Sequence, residues 1–217
     1  MQPYKDVNGW KVPYHDKIIA KQCEPFPNTI YQQHILDWAL SHTTNFDIAI
    51  DIGANIGLHT LRLSNKFEHV YSFEPFGLNY LCLSENTKNI SNVTKYKIGL
   101  GSKQGNLHIC LPKDSDNCGA ASLVDFKNSQ LKLEQEKIEI KRLDDFNLSP
   151  SLIKIDVQGY ELEVLKGAEQ TIKKYHPILI VEVGKGEPLS KIRKFLFQFG
   201  YIQDCNTNKD KGYRVIK

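Results

Sequence analysis

Four acidic residues close apolar runs in this sequence: Asp51 ends "FDIAID", Glu74 ends "HVYSFE", Asp156 ends "SLIKID" and Glu182 ends "HPILIVE". One acid at such a place caps a helix or meets solvent, whereas four in register form a row of hydrogen-bond acceptors and candidate bases. After the first of them comes "DIGANIGLHT", residues 51–60. Gly53 and Gly57 permit a tight strand-to-helix turn and close backbone approach to a ligand, and Asn55 is the non-glycine type that best tolerates left-handed geometry. The spacing is G-x-N-x-G, not the G-x-G-x-x-G that presents helix amides to a pyrophosphate.

A carboxylate two residues ahead of the loop repels phosphate and favours an ammonium or sulfonium group, as in the methionine portion of S-adenosylmethionine. Glu74, at the end of the next apolar run, is placed to accept both hydroxyls of a ribose. Pro75 shapes the following turn, and Phe76 is placed either against an adenine or in the core. Gly99 and Leu100, closing the third strand, complete the expected cofactor set.

Asp156 is the first candidate for the reaction centre, as a base or as a partner for the amino-acid end of such a cofactor. Glu161 and Glu182 follow, with helix-end stabilisation the rival role for Glu161. His59, two residues after the loop, is a further candidate base against a purely structural alternative. Lys154 shares a strand face with Asp156 and is suited to neutralising nearby acids. No spacing of Asp156, Glu161 and Glu182 demands a metal ion, so none is expected. Residues 114–125 are expected to form a loop near the acceptor pocket, with Ser122 a polar contact.

The elements that position these residues alternate. Residues 29–42 place Tyr31, Ile35, Leu36, Ala39 and Leu40 on one helical face, with Asn28 as N-cap. Strands follow at "FDIAIDIG", "HVYSFEP", "VTKYKIGL", "SLIKID" and "HPILIVEVG", separated by helices over 57–65, from Gly77, from Glu161 through Lys174 and at "PLSKIRKFLFQFG". Residues 105–111 and 136–141 alternate apolar and polar side chains and suggest a small β insertion beside the sheet. "YIQDC" and "GYRVI" suit an antiparallel C-terminal hairpin. The order predicts an α/β fold with a mostly parallel sheet covered by helices on both faces and ligands at the carboxyl ends of its strands. A single domain over 1–217 is expected, with an N-terminal extension and helix over 1–45 and the core over 46–217.

With 28 basic and 25 acidic residues, and its basic residues scattered, the chain shows no charge cluster that nominates a nucleic-acid partner. The five cysteines form no C-x-x-C pair, and neither an apolar leader nor a membrane-length apolar run is present, so a cytoplasmic protein without a transmembrane segment is expected.

Residues 51–60, "YSFEPFGLN", "GAASL", "RLDDF", "IKIDVQGYELEVLKGA" and "PILIVEV" together resemble, in order, the motifs of the FkbM-family S-adenosylmethionine-dependent methyltransferases. They span residues 47–183, and Gln158 stands where many members carry Glu. The resemblance implies a class I methyltransferase, Rossmann-like fold with a seven-stranded sheet. It also implies O-methylation of a hydroxyl on a sugar, glycolipid, polysaccharide or related small molecule, by a monomer or homodimer. Three rival readings remain. An NAD-dependent oxidoreductase would need the complete glycine fingerprint. A nucleic-acid base methyltransferase would need an acidic or Asn residue followed by Pro-Pro and an aromatic where Asp156-Val157-Gln158-Gly159-Tyr160 stands. The third is a non-catalytic cofactor-binding subunit.

Overall fold

The structure, a computed structural model, describes residues 2–28, 31–112, 116–120, 133–183, 189–207 and 209–215. It opens with a hairpin, β1 (Tyr4–Val7) and β2 (Trp10–Pro13), that the sequence reading above does not anticipate. Its turn is Asn8-Gly9, both at positive φ (53° and 92°), the pairing a two-residue hairpin loop requires. Trp10 is fully buried, and Asn86 clamps the hairpin to the body of the protein. The Asn86 Oδ1 accepts from the Lys11 amide at 2.7 Å, while its Nδ2 donates to the carbonyls of Lys11 (3.0 Å) and Ile56 (2.8 Å). Asn86→Ala is expected to cost about 1–3 kcal/mol, because it strands these backbone groups. Urea unfolding measures the loss, and hydrogen exchange should show it concentrated in the hairpin.

Helix α1 (Gln33–His42) leads into β3 (Ile48–Ile52), α2 (Leu58–Ser64), β4 (His69–Phe73), α3 (Gly77–Asn86), β5 (Val93–Tyr96) and β6 (Gly99–Leu100). Then come β7 (Gly105–Pro112), β8 (Leu133–Lys141), β9 (Leu152–Ile155), α4 (Glu161–Gly167), α5 (Glu169–Tyr175), β10 (Ile178–Glu182), α6 (Leu189–Phe197), β11 (Tyr201–Asn206) and β12 (Asp210–Val215). Seven strands form one sheet in the order β11-β12-β10-β9-β3-β4-β5. The pairs among β10, β9, β3, β4 and β5 are parallel, and β12 runs antiparallel to both β10 and β11. This is the class I methyltransferase architecture, with the expected C-terminal hairpin. The β insertion is also present, as a three-stranded sheet in the order β6-β8-β7.

Side chains alternate between two apolar layers. Ile50, Ile52, Ile153, Ile155, Leu179 and Val181 pack with Val164, Leu165, Ile192 and Leu196 on one face. Ala49, Val70, Leu152 and Ile180 pack with Ile35, Leu36 and Ala39 of α1 on the other.

Three boundaries differ from expectation. "VTKYKIGL" is two strands, because the chain leaves the main sheet after Tyr96 and Gly99 packs against β8 so closely that a Cβ would lie 2.6 Å from Ile140 Cδ1. The helix expected through Lys174 breaks at Ala168, next to Gly167, where a Cβ would meet the Gly101 carbonyl oxygen at 2.0 Å. Helix α1 starts at Gln33 rather than residue 29, and Asn28 is not its cap. Gln32 precedes it in a left-handed conformation (φ 48°, ψ 34°), with its amide engaged elsewhere. Among the described residues no helix is long and apolar enough to cross a membrane.

Candidate active site

In chain order the sheet grows from β3 outward to β4 and β5, then returns to the other side of β3 with β9. The carboxyl ends of β9, β3 and β4 therefore diverge at a topological switch point, where an open α/β sheet leaves a crevice. A cleft enclosing ≈590 Å³, open to solvent, lies there. Gly53 and Asn55 line it from the β3 end, Glu74 and Pro75 from the β4 end, and Asp156, Val157 and Gln158 from the β9 end. Phe73, Ile98, Leu100 and Ile109 give it apolar walls.

The glycine loop is shaped by close approach. Gly53 has φ 75°, and a Cβ there would sit 1.8 Å from the Asp156 carbonyl oxygen, so only glycine lets the ends of β3 and β9 converge. Asn55 (φ 51°) and Gly57 (φ 97°) are also left-handed. Glu74 braces the loop from below: its Oε2 accepts from the Asn55 amide at 2.8 Å and its Oε1 from the Phe76 amide at 2.9 Å. Burial pushes the Glu74 carboxyl up to about 7 against the pull of those two amides.

Among the described residues, two buried acceptors on this cleft have no hydrogen-bond partner, Asn55 Oδ1 and Asn79 Oδ1. The turn at Cys118 and Gly119 lies over them, with Asn79 Nδ2 donating to the Cys118 carbonyl at 3.3 Å and the Cys118 amide donating to Asp16 Oδ2 at 2.8 Å. Buried orphan acceptors beside a carboxylate and apolar walls fit an adenosine-like group, whose amine and hydroxyls are donors and whose base is apolar on its faces.

Beyond Asp156 the polar groups continue. Asp156 Oδ1 accepts from Gln158 Nε2 at 2.6 Å, on a turn in which Gln158 and Gly159 both have positive φ (56° and 99°). Burial, with Glu182 beside it, raises Asp156 well above the usual carboxylate range, although Lys154 opposes the rise. Burial also pushes Glu182 upward, but the hydrogen bond with Asp156, then Lys209, Lys154 and Gln32, bring it below the ordinary value. Burial and mutual repulsion therefore disfavour ionising both carboxyls of the pair at once. Gln32 Nε2 donates to Glu182 Oε2 (3.0 Å) and to Asp210 Oδ1 (3.1 Å). Tyr31 is half-buried beside the same carboxylates, and its phenol is held far above its usual range by burial and their charge.

Several expected site residues are placed elsewhere. Asp51 is fully buried behind the cleft. Its Oδ2 accepts from Thr60 Oγ1 at 2.7 Å, and its Oδ1 lies 3.3 Å from Lys154 Nζ, so its charge is compensated within the protein rather than offered to a ligand. Glu161 is fully buried and accepts from the Gly159 amide (2.9 Å to Oε1), bracing the turn before α4, which is the helix-end role rather than that of a base. His59 is buried with its Nε2 2.7 Å from Gln32 Oε1, and burial followed by Lys154 pushes it down to about 3. So weak a base, away from the cleft lining, is poorly suited to take a proton from an acceptor. Phe76 packs in the insertion's apolar cluster with Ile109 and Ile138, not on the cleft. Gly57 shapes the loop without lining the cleft, whereas Gly99 and Leu100 do line it. Ser122 and most of the expected 114–125 loop lie outside the described residues.

The sequence reading missed Gln32, Asn79 and Asp210 as site residues. Asn79 sits inside "YSFEPFGLN", where a polar residue within an apolar helical pattern was the available signal.

The chain matches the Methyltransferase FkbM domain over residues 51–214. It is similar to Methyltransferase 1 of Beauveria bassiana, 31% identical over 55% of this chain and 57% of that protein. It is also similar to Hexuronic acid methyltransferase AglP of Haloferax volcanii, 27% identical over 85% of this chain and 76% of that protein. Among solved structures, Methyltransferase FkbM from Methylobacillus flagellatus KT superposes with a TM-score of 0.52 at 22% identity, over 77% of this chain and 42% of that one. The chain therefore spans little more than half of the Beauveria protein and less than half of the Methylobacillus chain.

Proposed function

The chain belongs to the FkbM methyltransferase family, and from that premise we propose that it uses S-adenosylmethionine to methylate a hydroxyl of a sugar, glycolipid, polysaccharide or related small molecule. The observation that carries the reading is one cleft with two different carboxyls on either side of the β3 end. Glu74 is held by backbone amides beside orphan acceptors, and Asp156 lies beside Glu182 with its carboxyl raised above the usual range by burial. The hexuronic acid methyltransferase among the relatives supports a sugar acceptor.

In this reading Gly53, Asn55, Glu74, Pro75, Asn79, Gly99 and Leu100 hold the nucleoside. When bound, the cofactor supplies a methyl group activated on a sulfonium. The remaining task is to hold an acceptor oxygen in line with it and to remove that oxygen's proton as the carbon–oxygen bond forms. Asp156 takes the proton when the Asp156–Glu182 pair is ionised, with Lys154 and Gln158 steadying the charge. Incubation with labelled S-adenosylmethionine tests this against uronate-containing oligosaccharides, neutral oligosaccharides and RNA. Label on a sugar oxygen is expected, and label on RNA alone would contradict the proposal.

Glu74 gives a further expectation. Glu74→Ala should weaken S-adenosylmethionine binding at least about tenfold, the loss of one charge-assisted hydrogen bond. The wild-type affinity should depend on pH. A ribose hydroxyl donates best to the ionised carboxylate, and Glu74 is raised to about 7, so affinity should rise from pH 6 to 8 and level off above that. Calorimetry across that range checks the sign, and a flat profile would place the ribose elsewhere.

A further inference from the structure

The family match begins at residue 51, yet Tyr31 and Gln32 meet the carboxylates at the edge of the site. Among the described residues the Gln32 side chain bonds Glu182, Asp210 and His59. Its Nε2 has two N–H groups, one directed at Glu182 Oε2 and one at Asp210 Oδ1. Glu182 and Asp210 are direct cross-strand partners in the antiparallel β10–β12 pair, a position where like charges repel, and Gln32 bridges them. With both N–H groups given to carboxylates, Oε1 can only accept, so the 2.7 Å contact with His59 Nε2 requires the proton on that nitrogen. His59 Nδ1 is then a bare lone pair, consistent with its having no hydrogen-bond partner among the described residues, and the neutral ring fits the burial that pushes His59 down to about 3. Donation runs one way, from His59 through Gln32 to the carboxylates.

The backbone bears a strain for this arrangement. Gln32 sits at φ 48°, ψ 34°, a region that residues other than glycine and asparagine seldom adopt, and its side chain makes no cap hydrogen bond to α1. Helix initiation is given up to aim the amide at the site.

We infer that Gln32, in the segment before the family-matched region, is a positioning residue for the methyl-transfer centre, holding Glu182 as the ionised partner to which Asp156 is hydrogen-bonded. The inference rests on the proposed role of Asp156 as base. A hydrogen bond donated to the charged form of Glu182 favours its ionisation first and keeps the proton shared by the pair on Asp156. The other groups facing the pair are Lys154, Asp210, Tyr31, Gln158 and Lys209.

Gln32→Gly removes the amide while suiting the left-handed backbone, so the fold is expected to survive. Should it not, Gln32→Asn tolerates the same backbone and is one methylene too short to reach both carboxylates. Carboxyl carbon NMR titration of the pair is the direct measurement. In the variant the pair's lower apparent pKa should rise by about one pH unit, with the two carboxyl signals showing the shared proton moved from Asp156 toward Glu182, and KM should be nearly unchanged. S-adenosylmethionine binding should stay within about twofold, because Gln32 does not line the cofactor cleft. An unmoved titration, even with a less stable protein, would reduce Gln32 to an anchor for the N-terminal segment and overturn the inference. A wild-type protein that binds no S-adenosylmethionine would defeat the functional reading instead, while the titration would still decide whether Gln32 tunes the pair.

Discussion

Replacing Asp156 with Asn is expected to lower kcat by about 10²–10⁴-fold, the range for loss of a positioned general base. S-adenosylmethionine affinity should change little. An asparagine matches the shape of the aspartate and can still accept from Gln158, but it cannot take a proton. The wild-type rate should rise with pH through the apparent pKa of the Asp156–Glu182 pair, which lies above ordinary carboxylates because burial and the second carboxyl disfavour full ionisation. The variant should lose that acid limb. Steady-state kinetics across pH, paired with calorimetry, separate the two roles open to Asp156. Lost affinity with an intact rate at saturation would make it a partner for the amino-acid end of the cofactor instead.

Lys154→Met is expected to be the most destabilising of the substitutions considered, at about 3–5 kcal/mol, since it leaves a buried charge without its partner. Lys154 is buried at the register position opposite Asp51 in the parallel β3–β9 pair. Its Nζ donates to the Gly53 carbonyl at 3.1 Å and lies 3.3 Å from Asp51 and 3.8 Å from Asp156. Burial alone would lower its pKa, yet the two aspartates raise it beyond the usual lysine range. The sign follows: a raised lysine contributes fully below its unfolded pKa of about 10 and loses that contribution only as pH climbs past the folded value. The deficit in Lys154→Met should therefore be constant across neutral pH. Urea unfolding measures it, and the double substitution Asp51→Asn with Lys154→Met should recover a large part, since it removes both charges together. A loss below about 1 kcal/mol would mean that water or another cation reaches Asp51.

The strand-end acids were legible because parallel strands are buried on both faces and read as continuous apolar runs, so the first charge after each run marks the sheet edge. Glu74, Asp156 and Glu182 were placed at the strand ends that way. The same logic misassigned Asp51, because nothing in one strand's sequence reveals that the neighbouring strand brings Lys154 alongside, although Lys154 itself was read as a neutralising residue. Asp210 escaped because its place beside Glu182 depends on the register of an antiparallel strand that arrives last in the chain. Gln32 escaped for a related reason: local pattern favoured a helix start near residue 29, and contacts to residues 150 and 178 positions away overrode it. The N-terminal hairpin was the avoidable omission. "VNGW" carries the Asn-Gly turn signal, but four-residue strands are too short for alternation to stand out.

The central claim is that the cleft at the β3 end holds S-adenosylmethionine. Isothermal calorimetry of the purified protein with S-adenosylmethionine, S-adenosylhomocysteine and NADH tests it most directly. Binding of both sulfur nucleosides, with little or no signal from NADH, is the predicted result. Silence from both with clear NADH binding would contradict it, and with it the roles argued for Glu74 and Asp156.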